Sequence, residues 1–326
     1  MKAFKMAQPK TLAGAHSVLK GSFDSTKIMA GGTDLIAMMK DGAAAPDLVV
    51  NVKGVEKMRW MEKTDRGLEI GALITMTELA ELEGVSKDYP AIRATILRSA
   101  TPQVRNAATI AGNLCQRPRC VYFRHESYSC LKNGGKTCPA KEGAHENHAI
   151  FNNDLCNAPH VSNLAPVFIA YEAEIDIAGP KGTRTVKAEE FFTGPEKQVM
   201  AENILKADEV VTAIILPKNS ARKNSAYVEA RQKQSYDWAL TGATVAIELD
   251  GDKVKSSRIV LSAIAPTPLR RRDLEKMIEG KRLTESRIKD VAEAAVKNAT
   301  PLRDNAYKTI MLKAVLSRAM RQAKEA

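Results

Sequence analysis

The sequence predicts an α+β protein of more than one domain, and three observations predict it. Its 326 residues are room for two or three compact domains at roughly 100–200 residues each. Strand-length apolar runs and helix-spaced stretches both recur, and the last third gives strands first and helices after. The polar stretch from Pro217 to Ser225 then divides the chain.

Residues 1 to about 55 form the first unit. Ile28 to Ala30 is apolar, Gly31-Gly32-Thr33-Asp34 interrupts it, and Leu35 to Met39 resumes with helical spacing, so a strand, turn and helix are expected. Asp47 to Asn51 reads as a buried strand. Leu68 to Ala72 is a further strand, and Thr75 with Glu78 three residues on has the spacing of a capping box at a helix start. Tyr89 to Ser99 is helical, and residues 100–113, rich in small and polar types, read as an ordered loop. Val167 to Tyr171, Glu174 to Ile177 and Glu209 to Leu216 are expected strands. Beyond the divide, Ala243 to Leu249 and Arg258 to Ala263 read as strands, and Leu269 to Glu279, Glu285 to Asn298 and Tyr307 to Ala323 as helices.

Composition narrows the function classes. Hydrophobic residues make up 44% and charged residues 27%, with no apolar run long enough to span a bilayer. The N-terminus lacks the apolar stretch of a secretory signal, which makes the cytoplasm the default location. Forty-nine basic against 38 acidic residues give a net charge of +11. That charge is spread along the chain, concentrated only at Arg270 to Arg272 and from Lys313 to Lys324. Aromatic residues are 5%, too few for the stacking surface of a nucleic-acid module. A basic surface for an acidic partner subunit is the better reading, with no nucleic acid involved.

Residues 114–160 break the periodic pattern. They hold all five cysteines and four of the five histidines, an insertion held by something other than a hydrophobic core. A reducing compartment disfavours disulfides, so grouped cysteines point to metal. Cys120, Cys130, Cys138 and Cys156 are separated by 10, 8 and 18 positions, without the close pairs usual at structural zinc. Four thiolates suit either an iron–sulfur cluster or zinc, and packed cysteines are the plain alternative. Cys115, beside the apolar Leu114, is the odd one out. His125, His145, His148 and His160 are further candidate ligands, although a histidine in a polar loop is more often exposed.

Two glycine-bearing segments carry a second signal. A dinucleotide needs backbone N–H groups at its pyrophosphate, and glycine permits the close approach. Ala30, Gly31, Gly32, Thr33, Asp34 and Leu35 fit that need, with a helix following. The pattern is not the GxGxxG of a nicotinamide site. Arg105, Asn106, Thr109, Gly112 and Asn113 supply donors for phosphates and sugar hydroxyls from the second segment. Two such segments flanked by strand and helix signals suit one shared ligand.

These motifs together resemble the FAD-binding medium subunit of the molybdenum hydroxylases, the xanthine dehydrogenase and carbon monoxide dehydrogenase family. The match rests on AGGTDL at 30–35, IGA at 70–72 with Thr75, TPQVRNAATIAGN from Thr101 to Asn113, FFTG at 191–194 and the segment Tyr227 to Leu240. The resemblance implies a two-lobed FAD-binding domain of the vanillyl-alcohol-oxidase type over residues 1–217, lobes about 1–55 and 56–217, plus a smaller C-terminal α+β domain over 218–326. Residues 30–35 would then hold the FAD pyrophosphate and residues 105–113 the phosphate, ribityl and flavin. The insertion resembles the branch with 4-hydroxybenzoyl-CoA reductase and the periplasmic aldehyde oxidoreductase. There it carries a [4Fe–4S] cluster, which transfers to Cys120, Cys130, Cys138 and Cys156. Where the family commonly has Ser-Asp, this chain reads Ser162-Asn163, an amide in place of the carboxylate that accepts from an FAD hydroxyl.

The function implied is electron relay, with no acid–base catalyst in this chain. Its partners would be a large subunit with the molybdenum cofactor, a small subunit with [2Fe–2S] clusters and an external electron donor or acceptor, in a hetero-oligomer such as a dimer of heterotrimers. The rival readings are a stand-alone FAD oxidase or reductase of the same fold, and a zinc-stabilised basic binding module.

Overall fold

The computed structural model describes residues 1–19, 22–221, 224–233 and 236–326. Arg222 and Lys223 of the expected divide, and Gln234 and Ser235 of the 227–240 motif, lie outside the described residues. The described residues form three sheets.

The first is parallel, in the order Lys5–Ala7, Leu48–Asn51, Thr26–Met29. Helices Leu12–Val18 and Leu35–Lys40 make the crossovers. The expected strand, turn and helix around the glycine pair is therefore present.

The second sheet is antiparallel throughout, in the order Met61–Lys63, Gly67–Gly71, Val210–Pro217, Glu174–Gly179, Gly182–Lys187. Helices Met76–Glu81, Glu83–Asp88 and Pro90–Arg98 follow its second strand. Thr75 caps the first of them with both bonds of the capping box to Glu78. Ile70, Leu79, Ile92, Ile96, Phe168 and Ile214 are fully buried in this core.

The third sheet is a meander, Asn224–Ala230, Thr241–Asp250, Lys253–Ser262, Leu269–Arg270. Helices Arg272–Ile278, Glu285–Ala295 and Tyr307–Glu325 complete the C-terminal part. The last of them repeats apolar residues at helical spacing, burying Leu312, Val315, Leu316, Ala319, Met320 and Ala323 against the two leading strands.

Four expectations need correction. Val167 to Tyr171 is not a strand but belongs to helix Leu164–Ala170, of which every residue is buried. A continuous apolar run cannot distinguish a buried strand from a helix buried on all sides. This helix packs against Pro90–Arg98 on one side and the strands of the third sheet on the other. Residues 101–113 are not a loop but two short helices, Pro102–Ala107 and Ile110–Leu114, capped by Thr101 and Thr109. The expected helix from Leu269 begins only at Arg272, because Leu269 and Arg270 pair with Leu261 and Val260 as an edge strand. Nor is the insertion coreless, since Ile150 and Phe151 are buried in the apolar core of the C-terminal part.

Among the described residues no helix is long and apolar enough to cross a membrane.

Candidate functional site

Strand Thr26–Met29 delivers the chain into the glycine turn. A side chain on Gly31 would place its first carbon 2.0 Å from the Ala107 carbonyl oxygen, so the absence of one lets this turn lie directly on the backbone of the second motif. Gly32 has φ +75°, the left-handed region where a side chain is strained. Thr33 is exposed. Among the described residues, the N–H groups of Gly31, Gly32 and Thr33 have no hydrogen-bond partner. Bare N–H groups on a turn without side-chain bulk suit a pyrophosphate.

The second motif is pinned beside the first. Met76 N donates to Ala108 O and Ile110 N to Ile74 O, each at 2.9 Å. Several predicted side chains already have protein partners. Thr101 and Thr109 accept from Val104 N and Gly112 N as caps. Arg105 donates to the carbonyls of Ser99 and Ala100, and Asn106 accepts from Thr77 Oγ1 at 2.6 Å. Arg105 and Asn106 line a separate open groove of about 670 Å³ with Thr77 and Arg93. Asn113 accepts from Ser162 Oγ at 2.7 Å, and Asn163 donates to Ser99 Oγ at 3.0 Å.

Asp34 turns away from the motif it belongs to. It accepts from Arg117 N at 2.8 Å and pairs with Arg119 and Arg124 at 2.7 Å each. Glu202 makes a second latch, to Lys132 at 2.7 Å and Arg117 at 2.5 Å, with both carboxylate and ammonium buried. Two acidic groups thus fasten the cationic start of the insertion to the domain that carries the glycine turn.

Within the insertion the four predicted cysteines lie together, apart from Cys115. Cys120 senses the charges of Cys130 and Cys156, Cys130 that of Cys138, and Cys156 those of both Cys138 and Cys130. Each sulfur also faces N–H donors. Tyr122 and Phe123 supply them to Cys120, Lys132 and Asn133 to Cys130, and Ala158 to Cys156. Asn157 Nδ2 donates to Cys138 Sγ at 3.3 Å. Burial alone acts on Cys115, pushing its thiol up to about 12.

Burial also pushes Cys120 up to about 12 and raises Cys130 and Cys156. Protons on buried thiols give way only to a nearby positive charge, which a bound metal supplies. Four thiols have the donor chemistry of a metal group, although among the described residues no group of three or more His, Cys, Asp or Glu could hold a metal ion. All five cysteines are free.

The histidines depart from expectation. His145, His148 and His160 are buried. His148 Nε2 lies 3.2 Å from Cys120 Sγ, a contact across 28 positions that no local pattern signals. Burial lowers His148 to about 4 and His160 to about 3, so both rings are neutral near pH 7.

A cavity of about 270 Å³ opens beside Cys120, lined by His148, His160, Ser162, Asn163, Trp238 and Ser262 among others. Arg119 stacks over the Trp238 ring at 4.6 Å. Among the described residues, His148 Nδ1 and His160 Nε2 are buried without hydrogen-bond partners. Unsatisfied polar atoms on one cavity wall suit a flat ligand with alternating donors and acceptors, such as a flavin ring.

Two family models match the chain. The FAD binding domain in molybdopterin dehydrogenase covers residues 2–219, and the CO dehydrogenase flavoprotein C-terminal domain covers residues 225–323. The chain is 31% identical over 328 residues to the aldehyde oxidoreductase FAD-binding subunit PaoB of Escherichia coli (strain K12), covering 99% of each. To the carbon monoxide dehydrogenase medium chain of Hydrogenophaga pseudoflava it is 28% identical over 324 residues, covering 98% of this chain and 96% of that one. The solved structure of carbon monoxide dehydrogenase from Hydrogenophaga pseudoflava lacking the Mo-pyranopterin moiety superposes with a TM-score of 0.77 at 28% identity. That match covers 98% of this chain and 96% of the other. The α+β fold class expected from the sequence agrees with these relatives.

Proposed function

The chain belongs to the family of FAD-binding medium subunits of molybdopterin hydroxylases, and on that premise we propose that it relays electrons between an external donor or acceptor and partner subunits through FAD and a [4Fe–4S] cluster. It is an oxidoreductase subunit that binds FAD. When bound, the flavin exchanges electrons in pairs and the cluster one at a time.

The observation that most directly supports the cluster is the set of N–H donors aimed at Cys120, Cys130, Cys138 and Cys156 and not at Cys115. Hydrogen bonds to sulfur favour thiolate over thiol and are a recurring feature around iron–sulfur clusters.

In this reading residues 1–217 form the FAD domain, with its two lobes and the insertion at 114–160, and residues 218–326 form the C-terminal domain. The free N–H groups at Gly31, Gly32 and Thr33 hold the pyrophosphate, and Thr109, Gly112 and Asn113 hold the ribityl and ring side. Asn163 stands where an acceptor for an FAD hydroxyl is needed. Thr101, Arg105 and Asn106 shape that face by fixing the backbone from Ser99 to Ala108. The substrate site lies on a large molybdenum-cofactor subunit, and electrons pass by way of a small [2Fe–2S] subunit. The free cysteines suit a cytoplasmic setting.

Visible absorption and metal analysis of anaerobically purified chain test this. Flavin bands over broad sulfur-to-iron absorption, with iron present, are expected. Flavin without iron would leave a simple flavoprotein, and a colourless zinc protein would remove the relay altogether.

A further inference from the structure

Among the described residues, two side chains of the insertion, Asn157 and His148, reach a sulfur of the four cysteines. His148 Nε2 is 3.2 Å from Cys120 Sγ, and its backbone is tethered. The His148 carbonyl accepts from Lys308 Nζ at 2.9 Å and from Asn305 Nδ2 at 3.2 Å. Both donors belong to the segment that opens the C-terminal helix, so the His148 backbone is anchored to the C-terminal part of the chain. Tyr122 packs beside the ring with centroids 6.2 Å apart.

The contact is also distinctive among the four sulfurs. Cys120 already faces the backbone N–H groups of Tyr122 and Phe123, and the imidazole adds a third donor. A neutral imidazole carries one N–H. Placing it on Nε2 satisfies the contact with sulfur and leaves Nδ1 as an acceptor, which has no partner among the described residues. His148 also lines the 270 Å³ cavity with Asn163 and Trp238, so one ring spans from the sulfur to the cavity wall.

We propose that His148 is a positioning residue that donates its Nε2–H to the Cys120 sulfur and raises the reduction potential of the cluster held there. The inference rests on the cluster reading above. Reduction adds one electron, supplied in the test by dithionite, and the added negative charge spreads onto the ligand sulfurs. An N–H dipole directed at one of them stabilises the reduced form more than the oxidised form. His148 thereby favours residence of the electron at the cluster.

The test is a dithionite redox titration of the anaerobically purified full chain, read by EPR, for wild type, His148→Leu and His148→Gln at measured iron content. At the potential that half-reduces wild type, His148→Leu is expected to show a roughly tenfold lower reduced-to-oxidised ratio, a shift of about 59 mV for one electron. His148→Gln, which keeps an N–H, recovers most of it. Equal potentials in wild type and His148→Leu at equal iron overturn the inference alone, whereas wild type without iron overturns the cluster reading as well. If His148→Leu loses its iron, pulsed EPR of reduced wild type with isotopically labelled histidine decides. Nitrogen coupling to the cluster supports the inference, and its absence overturns it.

Discussion

Lys308→Met isolates the bond set that ties the insertion to the C-terminal domain. Lys308 is fully buried and donates to His148 O and Ala263 O at 2.9 Å and to Asn147 O at 3.3 Å. Methionine keeps the aliphatic stem and removes the ammonium. His148 O retains Asn305 as a donor, whereas Asn147 O and Ala263 O lose theirs. Two buried acceptors without partners cost about 2–6 kcal/mol at roughly 1–3 kcal/mol each. Against this, burying the ammonium is itself unfavourable, and burial lowers Lys308 from 10.5 to about 7. The net destabilisation expected near neutral pH is about 3 kcal/mol.

The same shift gives a sign. The folded value lies below the unfolded one, so between the two pH values the unfolded chain holds a proton that the folded chain has released, and wild-type stability rises with pH in that window. Below about 7 both states hold the proton, and the contribution is fully lost and no longer changes with pH. Urea unfolding of wild type and Lys308→Met across that window is the assay. A variant as stable as wild type, or a difference that shrinks as the pH rises, refutes the reasoning.

Three further outcomes are expected. Cys138→Ser should lose most of its iron while Cys115→Ser keeps it, since only the former sulfur has a side-chain donor and neighbouring sulfurs, those of Cys130 and Cys156; metal analysis of both decides. Burial holds His160 at about 3 against 6.5 when unfolded, so stability present above pH 6.5 is lost as the pH falls towards 3. His160→Leu should therefore move the acid-unfolding midpoint, followed by circular dichroism, to lower pH, and an unmoved midpoint counts against a buried neutral ring. Asn163→Asp exchanges an amide acceptor for a carboxylate, a gain of about 1 kcal/mol or roughly fivefold in FAD affinity; equilibrium dialysis of deflavinated chain measures it, and weaker binding would remove Asn163 from the site.

Local chemistry made part of this structure readable in sequence. The glycine pair, the Thr75 and Glu78 spacing and the apolar repeat of the final helix each act over a few residues, so a pattern records them. Helix Leu164–Ala170 escaped because burial on all sides erases the period that marks a helix. The helices capped by Thr101 and Thr109 escaped because five or six residues hold too little of that period. The cysteine grouping was visible, but its surroundings were not. Asn157 reaches Cys138 across 19 positions, and Asn305 reaches His148 across 157. Asp34 shows a further limit, since composition placed it in the glycine turn and only the fold shows that it faces Arg119 and Arg124.

The insertion is fastened at both ends of its path. Asp34 grips it through Arg119 and Arg124, while Ile150 and Phe151 donate to the Ile264 carbonyl and Thr300 donates to that of Ile150. Domains joined by a modest interface ordinarily unfold one after the other. Here neither can open without tearing the strut that crosses between them, so heating should give a single transition whose calorimetric and van't Hoff enthalpies agree. Either half produced by itself should then melt well below the intact chain.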